Sequence, residues 1–240
     1  MVRVFGFRRS FFWGWMSASS LLLVLVVSGC VISPRRTLGG GPTPTPTPTP
    51  TGTPTPTPTP SPGKLYVSNA GSNSILRFDG ALTDSGNVPP AATISGSSTT
   101  LTSPAYITLD TTNDRLYVAN NADLSILIFD SISTKNGNVA PERTISGANT
   151  TLVGPTDLTL DRGRNLLYVA DDIDILVFSS ASTATGNIAP ARTLSPGFAA
   201  AAILIDGAND RLYVADSAGN SIAIYDNAST LASEIGRAHV

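Results

Sequence analysis

From residue 64 onward, short apolar runs alternate with clusters of turn-forming residues, and the runs return in register. A Leu-Tyr-Val triplet marks the period, at Leu65-Tyr66-Val67, Leu116-Tyr117-Val118, Leu167-Tyr168-Val169 and Leu212-Tyr213-Val214, with spacings of 51, 51 and 45 residues. The second copy is the fullest. Pro104–Asp110 alternates apolar and polar positions, the period-two pattern of a strand. A Thr-Thr-Asn-Asp turn leads to the β-branched and aromatic run Arg115–Ala119, and Asn120-Asn121-Ala122-Asp123 separates it from a third strand, Ser125–Asp130. A polar loop with Gly137-Asn138-Val139-Ala140-Pro141 precedes a short fourth strand at Arg143–Ser146.

The other copies keep this plan. Pro155–Asp161 and, more weakly, Ala202–Asp206 repeat the first strand, while Gly86-Asn87-Val88 and Gly186-Asn187-Ile188 repeat the loop before the fourth. The shorter third spacing has two residues fewer between Val169 and Phe178 and four fewer between Thr193 and Asp206. Both losses fall in loops, where length changes are tolerated. No window of residues 64–233 carries helical apolar spacing over ten residues, which excludes a helical solenoid, and the period is too long for a β-helix coil. The prediction is an all-β chain: a β-propeller of four-stranded antiparallel blades, with about four blades or partial blades in residues 64–233. The runs Pro-x-x-Ile-x-Leu-Asp, Arg-Leu-Tyr-Val-Ala-Asn and Ile-Leu-Ile-Phe-Asp resemble NHL and YVTN β-propeller repeats across residues 64–226. That resemblance implies the fold. It leaves function open among binding modules, scaffolds and a few lactonase- or lyase-type enzymes.

The region before the repeats predicts location. Arg3, Arg8 and Arg9 precede the apolar stretch Phe11–Val27, and Val27-Ser28-Gly29-Cys30 resembles a bacterial lipoprotein cleavage box. Residues 1–29 are therefore expected to be a signal peptide, with Cys30, the single cysteine, as the lipidated residue that holds the chain to a membrane. Two or three acyl chains there would exceed the single chain that gives only marginal, reversible anchoring. Val31, rather than an aspartate, after Cys30 favours the outer membrane or cell surface over the inner membrane. Residues 30–63 form a linker whose Thr-Pro repeat favours extended polyproline II. At ~3.1 Å per residue its Thr-Pro part reaches roughly 65 Å, a stalk between lipid and domain.

The tail Glu234–Val240 breaks the repeat. Back-translated with permitted codons it contains AGATCGGAAGAGCACACGTC, a sequencing-adapter sequence, so residues 234–240 are expected to be non-native and the chain to be a piece of a longer propeller with further blades.

Residues 64–233 carry nine Lys/Arg against sixteen Asp/Glu, a net of −7 with no basic stripe, which argues against nucleic acid as a partner. The only histidine, His239, lies in the doubtful tail, so neither a Ser-His-Asp triad nor a histidine-bound zinc site is available. No catalytic residue, resident metal or cofactor is predicted. The densest acidic run, Asp171-Asp172-Ile173-Asp174, could serve a hard cation, but its spacing matches no calcium loop and a solvated acidic turn is preferred. Asp110, Asp161 and Asp206 close their first strands and read as turn hydrogen-bonders, and Tyr66, Tyr117, Tyr168 and Tyr213 as packing residues. Recognition is best sought where copies differ, in the loop after each second strand. The candidates are Asn69, Asn73, Asn120, Asn121, Asp123, Asp171, Asp172, Asp174, Asp216 and Asn220. Together these features predict an envelope lipoprotein whose propeller binds a protein or glycan without catalysis. A hydrolase or lactonase with metal ligands in further blades, and a structural surface-layer component, are the alternatives.

Overall fold

The computed structural model describes residues 63–232. The signal segment, Cys30, the Thr-Pro segment to residue 62 and the tail from residue 233 lie outside the described residues. The described chain forms four antiparallel sheets, each a simple meander. The first holds β1 (Leu65–Asn69), β2 (Ser74–Phe78) and β3 (Ala92–Ile94). The second holds β4 (Pro104–Asp110), β5 (Arg115–Asn120), β6 (Ser125–Asp130) and β7 (Arg143–Ile145). The third repeats it with β8 (Pro155–Asp161), β9 (Leu166–Asp171), β10 (Asp174–Ser179) and β11 (Arg192–Leu194). The fourth holds β12 (Ala200–Asp206), β13 (Arg211–Asp216) and β14 (Ser221–Asp226). The first strands β4, β8 and β12 stand side by side, so the sheets radiate from a shared inner edge as the blades of a β-propeller do.

The apolar runs of the middle strands follow from this stacking. Successive side chains of a strand point to opposite faces, and both faces of an inner blade are covered. Leu116, Val118, Leu127 and Phe129 pack back on Tyr66 and Ile75 of the first blade. Tyr117, Ala119, Ile126 and Ile128 pack forward on Leu167, Val169, Leu176 and Phe178 of the third. Each fully buried aliphatic or aromatic side chain of this kind contributes about 1.5–3 kcal/mol relative to exposure. A period-two amphipathic strand would leave one of these faces wet, which is why β5, β6, β9 and β10 read as continuous apolar runs. β12 starts at Ala200, two residues before the run recognisable in sequence, because its first residues pair with β13 across a register shift between Ala200 and Ala202.

The recurring Gly-Asn loop is a joint between blades. Gly137 N donates to Thr93 O at 2.8 Å, and Ser95 N donates back to Gly137 O at 3.1 Å, so the second blade grips the outer strand of the first. Asn138 adds a side-chain hold, its Oδ1 accepting from Ser98 N at 2.7 Å. The third blade grips the second in the same way, through Gly186 N to Thr144 O at 2.7 Å and Asn187 Oδ1 from Asn149 N at 2.7 Å. Gly96 (φ +117°) and Gly147 (φ +114°) face these asparagines, and a Cβ on either would lie 2.6 Å from the amide oxygen. Arginines make a second joint: Arg77 Nη1 donates to Ser133 O at 2.6 Å, Arg143 to Ser182 O, and Arg192 Nη1 to Leu231 O at 3.2 Å.

Candidate functional site

Strand direction divides the loops between two ends of the blades. The turn after each second strand and the connection into each next blade lie at one end, here called upper. The hairpins after the first strands and the loops after the third strands lie at the lower end. The candidate residues read from the sequence therefore gather on the upper face, although the structure gives them different work.

Several are taken up by the framework. Asn120 is fully buried, its Oδ1 accepting from Thr102 N at 2.6 Å and its Nδ2 donating to Thr100 O and Ser125 Oγ, each at 3.0 Å. Asp171 holds the same place in the third blade and accepts from Val153 N and Gly154 N. Burial raises its pKa above the ordinary carboxylate value, against the lowering effect of those two amides. Asp216 is buried and accepts from Gly219 N at 2.7 Å. Asn73 and Asn121 reach forward across the blade boundary, Asn73 Oδ1 accepting from Ser103 N at 2.7 Å and Asn121 Nδ2 donating to Pro155 O at 3.1 Å. Asp174 accepts from Ser195 Oγ at 2.6 Å. Asp123, Asp172 and Asn220 are exposed and Asn69 is half-buried. Asp171–Asp174 is not one loop. Asp171 ends β9, Asp174 begins β10, and only Asp172 and Ile173 make the turn.

The upper face also presents aliphatic residues not singled out in the sequence. Leu124, Val153 and Ile173 are exposed at 43%, 63% and 59%. All three lie in upper loops of the second and third blades, loops tied together by Asn121 to Pro155 and by Asp171 to Val153 and Gly154. Leu124 stands out further. The turn demands a left-handed residue, and the other copies supply Asn73 (φ 48°), Asp172 (φ 54°) and Asn220 (φ 50°), whose short polar side chains tolerate it. The second blade places Leu there, at φ 48°, without burying it. Aligning the four copies shows this exception in sequence, because Leu124 occupies an Asn/Asp position.

Charge is segregated between the two ends. All nine Lys/Arg of the domain lie at the lower end, on strand ends or in loops there: Lys64, Arg77, Arg115, Lys135, Arg143, Arg162, Arg164, Arg192 and Arg211. Every ion pair among the described residues is found there, including the Arg115–Asp130 pair and Arg164 with Asp161 at 2.9 Å. The upper face holds Asp123, Asp171, Asp172, Asp174 and Asp216 and no Lys or Arg. No group of three or more metal-binding side chains assembles among the described residues.

The sequence matches no family model and no curated protein. Solved structures do resemble the chain. One is Kuenenia stuttgartiensis hydrazine synthase, with a TM-score of 0.51 and 16% identity over 75% of this chain and 49% of that one. Another is a chain in the crystal structure of the mitotic checkpoint complex, with a TM-score of 0.48 and 15% identity over 69% of this chain and 48% of that one. The chain thus spans about half the length of these solved chains. At 16% identity the likeness to the hydrazine synthase chain is one of fold alone.

Within the inner strand β8, away from its lower end where Asp161 lies, sits a further buried acid. Asp157, on β8, is 2% exposed, and its Oδ2 accepts from Ile203 N on β12 at 2.8 Å. Burial pushes its pKa up to about 7 despite that bond and the one from Leu158 N. Two positions on, Thr159 Oγ1 accepts from Ile205 N at 3.3 Å, so side chains of β8 satisfy the backbone of the neighbouring inner strand.

Proposed function

We propose that this propeller is a non-catalytic recognition scaffold that binds a protein partner on its upper face, held at the bacterial envelope by acyl chains on Cys30 and lifted from the lipid by the Thr-Pro stalk. The observation that carries this reading is Leu124, an exposed apolar residue in a backbone conformation unfavourable to it. Such strain persists where function rather than folding selects the residue. Val153 and Ile173 are further exposed aliphatic residues on the same face. The large apolar residues exposed among those described are aliphatic, which suits an apolar side chain of a protein better than a sugar ring stacking on an aromatic one. Carboxylates without basic neighbours favour a partner with Lys or Arg around its apolar anchors.

The test is site-specific photo-crosslinking in the envelope of the expressing cell, with the probe at position 124 or, at the opposite end, position 163. A discrete protein product at 124 that is absent at 163 and lost with Ile173→Asp is the expected result. Identical products at both positions would refute the reading, and so would no protein product at 124.

A further inference from the structure

We propose that Thr100 and Thr151 are contact residues of the upper face, whose hydroxyls hold the main chain of an extended segment of the partner. They occupy the same position in the connections into the second and third blades, residues 95–103 and 146–154. Both connections have a described blade on either side. Each Thr follows a single 3₁₀ turn and takes the same left-handed conformation, φ 53°, ψ 16° at Thr100 and φ 58°, ψ 14° at Thr151. A β-branched residue is poorly suited to that region, where Cβ crowds the following carbonyl. The shorter connection into the fourth blade, residues 195–199, makes its own positive-φ turn with Gly197, at φ 80°.

The fold makes no use of the two side chains. The preceding Thr99 and Thr150 are buried, and their hydroxyls donate to Gly96 O and Gly147 O and accept from Leu101 N and Leu152 N. Thr100 and Thr151 are exposed, and among the described residues their hydroxyls have no hydrogen-bond partner. Their backbone is nonetheless fixed, because Asn138 and Asn187 hold Ser98 N and Asn149 N, two residues before each. Each Thr is also tied to the loop of an exposed aliphatic residue. Asn120, just before the turn of Leu124, donates to Thr100 O, and Asp171, just before the turn of Ile173, holds Val153 N. A hydroxyl both donates and accepts, which matches the free N–H and C=O groups of an extended main chain. A helix bonds those groups internally, whereas an extended segment offers them and points alternate side chains at the aliphatic residues. The assignment rests on the upper-face reading above and adds the form of the partner.

The experiment uses the position-124 crosslink in the envelope of the expressing cell, with both threonines changed together to Gly, to Val or to Ser. Gly removes strain and hydroxyl, Val keeps the shape without the hydroxyl, and Ser keeps the hydroxyl. Crosslink yield should fall about five-fold or more in the Gly and Val pairs, as for a lost hydrogen bond, and recover in the Ser pair. The urea midpoint of the Gly pair should not fall below that of the wild type, since relief of strain offsets the added chain entropy. Undiminished yield in either the Gly or the Val pair would overturn the proposal. So would a Ser pair that fares no better than the Gly pair, or a Gly pair less stable than the wild type. A crosslink mapped by mass spectrometry to a glycan, or to a helix of the partner, would overturn the extended segment. No product at 124 even with both threonines in place would remove the upper-face reading, and this proposal with it.

Discussion

The carboxylate of Asp157 accepts a hydrogen bond from the backbone amide of Ile203 at 2.8 Å, so a buried acid on one inner strand fixes the position of the next. Burial raises its pKa from an ordinary 3.8 to about 7, and the titratable group set against it is Tyr106 of β4. The folded protein therefore keeps a proton that the unfolded chain releases above about pH 4. Asp157 favours folding most below that pH, loses the advantage as pH rises to about 7, and changes little beyond. Thermal midpoints of wild type and Asp157→Asn from pH 4 to 8 should show the wild type losing ground steadily to the variant until about pH 7. Parallel profiles would mean that Asp157 does not titrate in this window.

Leu124→Asn should stabilise the domain by roughly 1 kcal/mol, because Asn accepts the left-handed conformation that Leu resists. The same change should abolish the crosslink formed with the partner by a probe at position 153. Urea unfolding reads the first effect and crosslinking the second, and a gain in stability with binding lost is the signature of a residue selected for function.

Gly96→Ala should destabilise by roughly 1–3 kcal/mol, since the new Cβ meets both an unfavourable φ and the Asn138 amide. Asn138→Ala should cost about 1 kcal/mol through loss of the bond to Ser98. Combined, the two should cost less than their sum, because removing the amide relieves the two closest contacts and leaves only the one with Cβ of residue 138 at 2.9 Å. A double-mutant cycle by denaturant unfolding measures that coupling.

Tyr117→Phe should cost about 1 kcal/mol. The buried Tyr117 hydroxyl donates to Ala181 O at 3.2 Å across the boundary between the second and third blades, and the variant strands that carbonyl. Unchanged unfolding midpoints would show that water replaces the bond.

The strands were legible because blade stacking buries both faces of β5, β6, β9 and β10, leaving apolar runs that recur at a fixed period. The Gly-Asn loop was legible as a repeat, but its grip on the previous blade was not: Gly137 meets Thr93 across more than forty residues, and no local pattern encodes that pairing. The upper loops divided for the same reason. Asn120 and Asp171 look like exposed turn residues until the connections bearing Thr102 and Val153 fold over them and draw on their oxygens. Leu124 was visible as an exception among Asn and Asp. Its meaning needed the backbone angle, which shows that the position is strained. Asp157 gave no signal, because Tyr106 and Ala202 fill the same place in neighbouring copies.

The reciprocal grip of the blades bears on how such a chain lengthens. The second and third units, each of about fifty residues, carry a Gly-Asn loop that reaches back and an Asn or Arg that reaches forward. A duplicated unit therefore arrives with both halves of its joint, and its neighbours need no compensating change. Gene duplication in whole periods can enlarge the array one blade at a time, whereas an insertion of half a period would leave a loop with no strand to hold.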